Sequence, residues 1–320
     1  MKGPLNAVDV FCGAGGLTCG FKLAGFNTIL GIDNDPTAIE TFKSNNKESK
    51  IICKDITKIT RTEIIEALDG KKIDLVIGGP PCQGFSMAGR RDPSDPRNSL
   101  FKDFLRIVTY IMPEIFVIEN VFGLISMRTS KNEKVIDIIR TEAERLGYTL
   151  TYTVLNAANF GVPQKRKRVF IIGSMVGKFD IKDKSRIKQI PVKTILAQKY
   201  KIPQKYFYSK KRIAGFIRRE KLNKKRGRGF GWQFLNPEKP SYTIPARYWK
   251  DGSDALIRYK NGDIRMLTPK ECASIQSFPD SYIFAGSEIQ KYKQIGNAVP
   301  PSLAKAVAKA LIVKLYNSNQ

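Results

Sequence analysis

The amino-acid sequence predicts an α/β protein built on a doubly wound, mostly parallel sheet, with a second, smaller domain. Three observations carry that prediction. Up to Ser174, short apolar runs alternate with stretches whose apolar residues recur at helical spacing. Glycines crowd directly after the first apolar run, where such a sheet keeps its first ligand-binding turn. Beyond Ser174 the alternation stops and Lys and Arg take over. A length of 320 residues accommodates two domains at roughly 150 residues each.

Ala7–Phe11 reads as the first strand, followed by a glycine-rich turn and a helical stretch reaching Gly25. Thr28–Ile32 is the second strand, and Pro36, well placed at a helix start, opens a helix through Lys43. Ile51–Cys53 is a third, weaker strand. Thr62–Leu68 is helical, and Ile73–Ile77 is a buried strand ending at Gly78-Gly79. Leu100, Phe101, Phe104, Leu105, Val108, Ile111 and Met112 then repeat at helical spacing until Pro113 stops them. Ile115–Ile118 is a fifth strand. Val135, Ile136, Ile139, Ala143 and Leu146 mark a helix closed by Gly147, and Tyr148–Leu155 and Val169–Ile172 are two final strands. At the far end, Ser302–Tyr316 forms an amphipathic helix expected to pack back on the sheet.

Composition narrows the chemistry. With 42% hydrophobic and 26% charged residues the chain can bury a core, which excludes a mainly disordered protein. The longest apolar stretch, 104–126, is broken by Arg106, Glu114 and Glu119, so no membrane span is expected and a cytoplasmic location is. There is no histidine, which excludes Ser-His-Asp triads, histidine bases and histidine-ligated zinc. The five cysteines are scattered without a C-x-x-C pair, so reduced thiols are expected and no structural metal. The net charge of +26 implies a polyanionic partner, nucleic acid first. Residues 178–235 hold 19 basic and 3 acidic residues, interleaved with aromatics such as Tyr206, Tyr208, Phe216 and Trp232. That mixture suits a nucleic-acid surface, and Lys224-Lys225-Arg226-Gly227-Arg228-Gly229 reads either as a mobile loop along phosphates or as a localisation signal or disordered tip.

The glycine loop runs Phe11-Cys12-Gly13-Ala14-Gly15-Gly16, and Thr18 stands where a dinucleotide fingerprint would have its third glycine. Asp33 follows the second strand and Asp55 the third. Three strand ends in series suit an adenosine-type cofactor. Pro80-Pro81-Cys82-Gln83 follows the fourth strand, placing a thiol in a rigid turn at the sheet's carboxyl edge, positioned as a nucleophile. Glu119-Asn120-Val121 ends the next strand, so nucleophile, carboxyl group and cofactor share one cleft.

With these motifs the sequence resembles the C5-cytosine DNA methyltransferases of prokaryotic restriction–modification systems. Phe11 with Gly13, Gly15 and Gly16 matches the family's cofactor motif. Pro81-Cys82-Gln83, continuing through Ser86 to Asp95-Pro96-Arg97-Asn98, matches its catalytic loop, and Glu119-Asn120-Val121 its Glu-Asn-Val. Gln164, Arg166 and Arg168 reproduce its Gln-x-Arg-x-Arg strand. Arg265, Leu267, Thr268 and Glu271 fit the motif after the variable region, and Gly296-Asn297-Ala298-Val299 the last one. Asp33 replaces a common glutamate, and Lys270 interrupts the usual Pro-Arg-Glu.

The resemblance implies an S-adenosylmethionine-dependent methyltransferase fold. It implies a catalytic domain of residues 1–177 completed by 288–320, and a target-recognition domain of 178–287 whose variable part is about 178–260. It implies that a Cys82 thiolate adds to carbon 6 of a flipped-out cytosine, making carbon 5 nucleophilic toward the donor methyl. Glu119 would hydrogen-bond ring N3, Arg166 would support the base and the thiol, and Arg168 would orient Glu119. Phe11, Gly13, Gly15, Gly16, Asp33, Asp55, Ile56, Pro80 and Asn297 would hold the cofactor. Gln83, Ser86, Arg97, Lys224, Lys225, Arg226 and Arg228 would touch double-stranded DNA. A monomer is expected, paired in function with a cognate endonuclease. A tRNA methyltransferase of the same superfamily and a non-catalytic DNA-binding module are the alternatives; Gly84-Phe85-Ser86 and the long basic region favour DNA.

Overall fold

The computed structural model describes residues 4–81, 99–129, 132–183, 188–227, 232–250 and 252–317. Seven strands form one sheet: β1 (Asn6–Val10), β2 (Asn27–Asp33), β3 (Lys50–Cys53), β4 (Leu75–Gly78), β5 (Ile115–Val121), β6 (Thr149–Asn156) and β7 (Lys167–Ser174). Their order is β3-β2-β1-β4-β5-β7-β6. All neighbours from β3 to β5 are parallel, whereas β7 runs antiparallel to both β5 and β6. The reason lies in the connections. Helices α1 (Gly16–Lys22), α2 (Pro36–Asn45), α3 (Arg61–Leu68), α4 (Leu100–Ile111) and α5 (Val135–Arg145) carry the chain across the sheet between successive strands. Between β6 and β7 only a short 3-10 turn, Ala157–Phe160, intervenes, too little for a parallel crossover.

Alternation along the central strands feeds two cores. Val76, Phe116 and Ile118 pack with Ile64, Phe104 and Ile139 of α3, α4 and α5. Leu75, Ile77 and Val117 face the other way, toward Leu17 of α1 and Leu303, Val307 and Leu311 of α9 (Pro301–Asn317). The C-terminal helix thus closes the sheet's second face. No helix among the described residues is long and apolar enough to cross a membrane.

A third apolar cluster joins residues 192–275 to Tyr292 and Ile295, the latter two from α8 (Glu288–Asn297). It includes α6 (Lys210–Lys225), the short pair β8 (Ile257–Arg258) and β9 (Ile264–Arg265), and α7 (Pro269–Ile275). Phe179 and Ile181, just past the composition change, pack beneath the sheet instead. Tyr206, Tyr208 and Phe216 are buried in the third cluster. These three aromatics therefore build core, whereas Tyr200 is exposed. Lys224 and Lys225 lie in the last turn of α6 with Arg226 as its cap, so this part of the basic string is helix and not loop.

Inside the third cluster, Arg265 is 1% exposed and meets Glu271 with two hydrogen bonds of 2.7 and 2.8 Å. Glu271 also closes the capping box of α7 with Thr268, which ties the motif after the variable region to a helix start. Removing one partner of such a pair strands a buried charge. Glu271→Ala is expected to cost about 3–5 kcal/mol, read as a lowered urea midpoint; a change within the fit error would contradict this.

Candidate active site

The parallel half of the sheet brings its carboxyl ends together in the order β3, β2, β1, β4, β5, and these ends carry the candidate residues. After β1 the chain turns at Phe11, whose φ is 61°, and the Cys12 amide donates to Ile32 O at 3.0 Å, keeping the turn against β2. The Gly13 amide donates to Asp33 Oδ2 at 2.8 Å, and the Asp35 amide donates to Oδ1 at 2.9 Å. The loop is thereby fixed to the acid of the neighbouring strand. Burial pushes the Asp33 carboxyl up, against the pull of those amides.

Gly15 sits at φ 81°, and a Cβ there would lie 2.7 Å from the Tyr282 hydroxyl. That hydroxyl donates to Ala14 O at 2.5 Å. A residue from between α7 and α8 thus holds the glycine loop from above. Below the loop, Thr18 donates its hydroxyl to fully buried Asp9 at 2.6 Å. Thr18 therefore has a partner in place of the close packing a third glycine would allow. Burial lifts the Asp9 carboxyl to about 7, opposed by its bonds to Thr18. Asp55 is exposed and accepts from the Thr57 amide and hydroxyl at 3.0 and 2.9 Å, starting the 3-10 turn that contains buried Ile56. Asn297 is exposed at the end of α8.

On β5, Glu119 is 8% exposed, and its Oε1 lies 2.8 Å from Arg168 Nε. Register explains the meeting. Val121 pairs with Arg168 and Glu119 with Phe170, so Glu119 and Arg168 project from the same face of the antiparallel pair, one diagonal apart. Burial raises the Glu119 carboxyl above its ordinary range, while Arg168 and then Arg166 pull it down. Next to it, Asn120 Nδ2 donates to Pro80 O at 3.1 Å. The Asn of the Glu-Asn-Val thus fixes Pro80, next to the last described residue before Cys82. Gly79 completes the fit, since a Cβ there would lie 3.3 Å from Glu119 Oε2.

Arg166, 2% exposed, donates to Ile244 O at 3.2 Å and to Gly296 O at 2.9 Å. Its Nε has no acceptor among the described residues. Gln164 accepts from the Ile244 amide at 3.0 Å and donates to Gln276 Oε1 at 2.8 Å. Gln276 in turn donates to Ile295 O at 2.7 Å. The Gln-x-Arg-x-Arg segment therefore seams the sheet to the third cluster through main-chain carbonyls.

The sequence alone assigns no role to Asp9, Asn120, Gln276 or Tyr282; of these, only Asn120 lies inside a recognised motif. Cys82, Gln83, Ser86, Arg97 and Arg228 lie outside the described residues. No group of three or more Cys, Asp and Glu among the described residues is arranged to hold a metal.

The order of motifs around this cleft is matched as a whole by the model of C-5 cytosine-specific DNA methylases, over residues 5–313. The chain belongs to that family. Type II methyltransferase M.DdeI of Desulfomicrobium norvegicum is 34% identical over 98% of this chain and 90% of its own length. Type II methyltransferase M1.HphI of Haemophilus parahaemolyticus is 34% identical over 96% of this chain and 87% of its own. A crystal structure described as a DNA modification methyltransferase encoded within an Escherichia coli prophage superposes with a TM-score of 0.74 at 26% identity, over 98% and 99% of the two chains.

The protein is therefore a DNA cytosine-5 methyltransferase whose methyl donor is S-adenosylmethionine. The cleft fits that donor. Open space lies over Gly13, where an added Cβ would meet no atom within 4 Å, and Phe11, Asp33 and Asp55 stand on three neighbouring strand ends. The donor supplies an electrophilic methyl on a sulfonium; the chain's part is to bind and aim it. Asp33 accepts the Gly13 and Asp35 amides, and the resemblance implies that it also accepts a ribose hydroxyl of the donor. Asp33→Ala in this methyltransferase is expected to weaken donor binding about tenfold or more while methyl transfer at saturating donor stays within a few-fold. A drop in kcat with unchanged donor affinity would contradict that.

Proposed function

We propose that this enzyme modifies double-stranded DNA at a short specific site as the methyltransferase of a Type II restriction–modification pair, acting as a monomer in the cytoplasm beside a cognate endonuclease. The observation that carries the chemistry is the meeting of buried Glu119 and Arg168 next to the Asn120–Pro80 bond, with β4 between β5 and the strand that leads to the glycine loop. The thiolate of Cys82 adds to C6 of a flipped-out cytosine, and the ring electrons move to C5. C5 takes the methyl, the C5 proton leaves to water, and the C6–S bond breaks to return the thiolate. Glu119, protonated, faces N3 and offsets the charge that develops there. Arg168 holds Glu119 in place. Arg166, with two nitrogens on main-chain carbonyls, keeps Nε for the thiol or base.

Support for DNA over tRNA comes from the family and from the names of the relatives. Labelled S-adenosylmethionine incubated with unmethylated DNA and with tRNA should label 5-methylcytosine in the DNA alone. Label in tRNA alone would replace this reading with the other.

Recognition is assigned to residues 178–260, because Cys82 and Glu119 meet only the extruded base while sequence is read on neighbouring base edges. Exchanging that segment for the equivalent one of a relative is expected to transfer the relative's target and keep C5 transfer. An active chimera with the original target would place recognition elsewhere.

A further inference from the structure

We propose that Arg106 of α4 is a positioning residue for the methyl donor, holding the turn after β3 at the place where Asp55 and Ile56 meet that donor. This rests on the reading that the turn holds the donor, and adds to it a residue that none of the motifs quoted above includes.

The turn needs such support. β3 is four residues long, lies at the edge of the sheet beside β2 and has no buried residue. Past it, the Lys54 amide donates to Asp33 O at 3.0 Å. From Asp55 the chain leaves the sheet in a 3-10 turn, Ile56–Lys58, and enters α3 at Arg61. Ile56 and Ile59 are buried in one core with Phe104 and Leu105 of α4. Apolar burial is non-directional, so it holds these side chains down without fixing how the main chain is turned.

Arg106 supplies that direction. Its Nη2 donates to Ile56 O at 2.6 Å and its Nη1 to Ile59 O at 2.7 Å, so one planar guanidinium spans both ends of the turn. The Ile59 amide donates to the same Ile56 oxygen at 3.1 Å. On the helix side, Asp103 Oδ1 accepts from Nε and Nη2 at 3.3 and 3.1 Å, and the Tyr110 hydroxyl accepts from Nη1 at 3.2 Å. Asp103 and Tyr110 lie one helical turn before and after Arg106, and together they aim the guanidinium. A surface ion pair within the helix would need Asp103 alone. Donation to two carbonyls 50 and 47 residues earlier in the chain is a tertiary tie. α4 joins β4, whose end leads to Cys82, to β5, which bears Glu119. The donor turn is thereby referenced to the helix between the strands of the reacting groups, not to the edge strand alone.

The test compares Arg106→Lys, Arg106→Gln and Asp55→Ala in the full-length enzyme. Donor-site affinity is read by titration with S-adenosylhomocysteine, donor KM and kcat by methyl transfer to an unmethylated duplex, and DNA affinity separately. Both Arg106 variants are expected to raise the donor KM and the S-adenosylhomocysteine Kd about tenfold, with kcat at saturating donor and DNA affinity within about twofold of wild type. Lysine keeps the charge and loses the planar fork, so its failure to substitute separates the two-carbonyl tie from simple electrostatics. Wild-type affinity in Arg106→Lys beside weakened affinity in Asp55→Ala would overturn the proposal and leave the donor reading of the turn intact. Equal losses of S-adenosylhomocysteine and DNA affinity in the Arg106 variants would also overturn it, because they report a general loosening of the fold. Unchanged affinity in Asp55→Ala would strike the donor reading of the turn, and the proposal with it.

Discussion

Cys82→Ser is expected to lower methyl transfer by about 10³-fold or more while donor binding persists. A serine hydroxyl is far less ionised than a thiol at neutral pH and adds poorly to carbon 6. The other cysteines offer no substitute. Cys12, Cys19 and Cys272 are buried, and desolvation raises the pKa of each thiol, that of Cys19 to about 11. Cys53 is exposed at the end of β3, on the far side of β2 and β1 from Glu119. Single-turnover measurement with saturating DNA checks the loss directly. Turnover near wild type in the serine variant would remove Cys82 from the mechanism.

Glu119→Gln is expected to lower kcat by about 10²–10³-fold with DNA affinity changed only a few-fold. Glutamine can still donate a hydrogen bond to N3, but it cannot pass a proton to it. The proposed role needs the protonated acid, and burial favours it by raising the Glu119 pKa, although Arg168 and Arg166 pull the other way. Activity should accordingly fall as pH rises through the raised pKa. Parallel losses in kcat and DNA affinity would make Glu119 a binding residue.

How much of this was legible in the sequence depended on the range of each signal. Strands β1, β2, β4 and β5 were readable because each buries an apolar run within its own few residues, whereas β3 has no buried residue and gave the weaker signal. The positions of Asp33, Asp55 and Glu119 followed, since a parallel sheet puts successive strand ends on one edge. The antiparallel β7 was not readable as such: Val169–Ile172 is equally apolar in either direction, and only the short link after β6 decides. That reversal is what carries Arg166 and Arg168 to the carboxyl edge beside Glu119.

The third cluster was the least legible. Its core residues, such as Tyr206, Tyr208 and Phe216, sit among lysines and arginines in short turns and one basic helix, with no sustained period to reveal burial. Contacts such as Tyr282 to Ala14 and Gln164 to Gln276 join positions far apart in the chain, so no local pattern announces them.

The central claim is covalent catalysis by one cysteine on cytosine in DNA. Its most direct measurement is the mass of the enzyme after incubation with S-adenosylmethionine and a mixed-sequence duplex whose cytosines are all 5-fluorocytosine. Fluorine at C5 cannot leave as a proton does, so the thiolate is not expelled and the adduct accumulates. The account predicts a species equal to protein plus DNA strand plus one methyl group, with the modified peptide containing Cys82. No adduct at all, or attachment at Cys53, would contradict it.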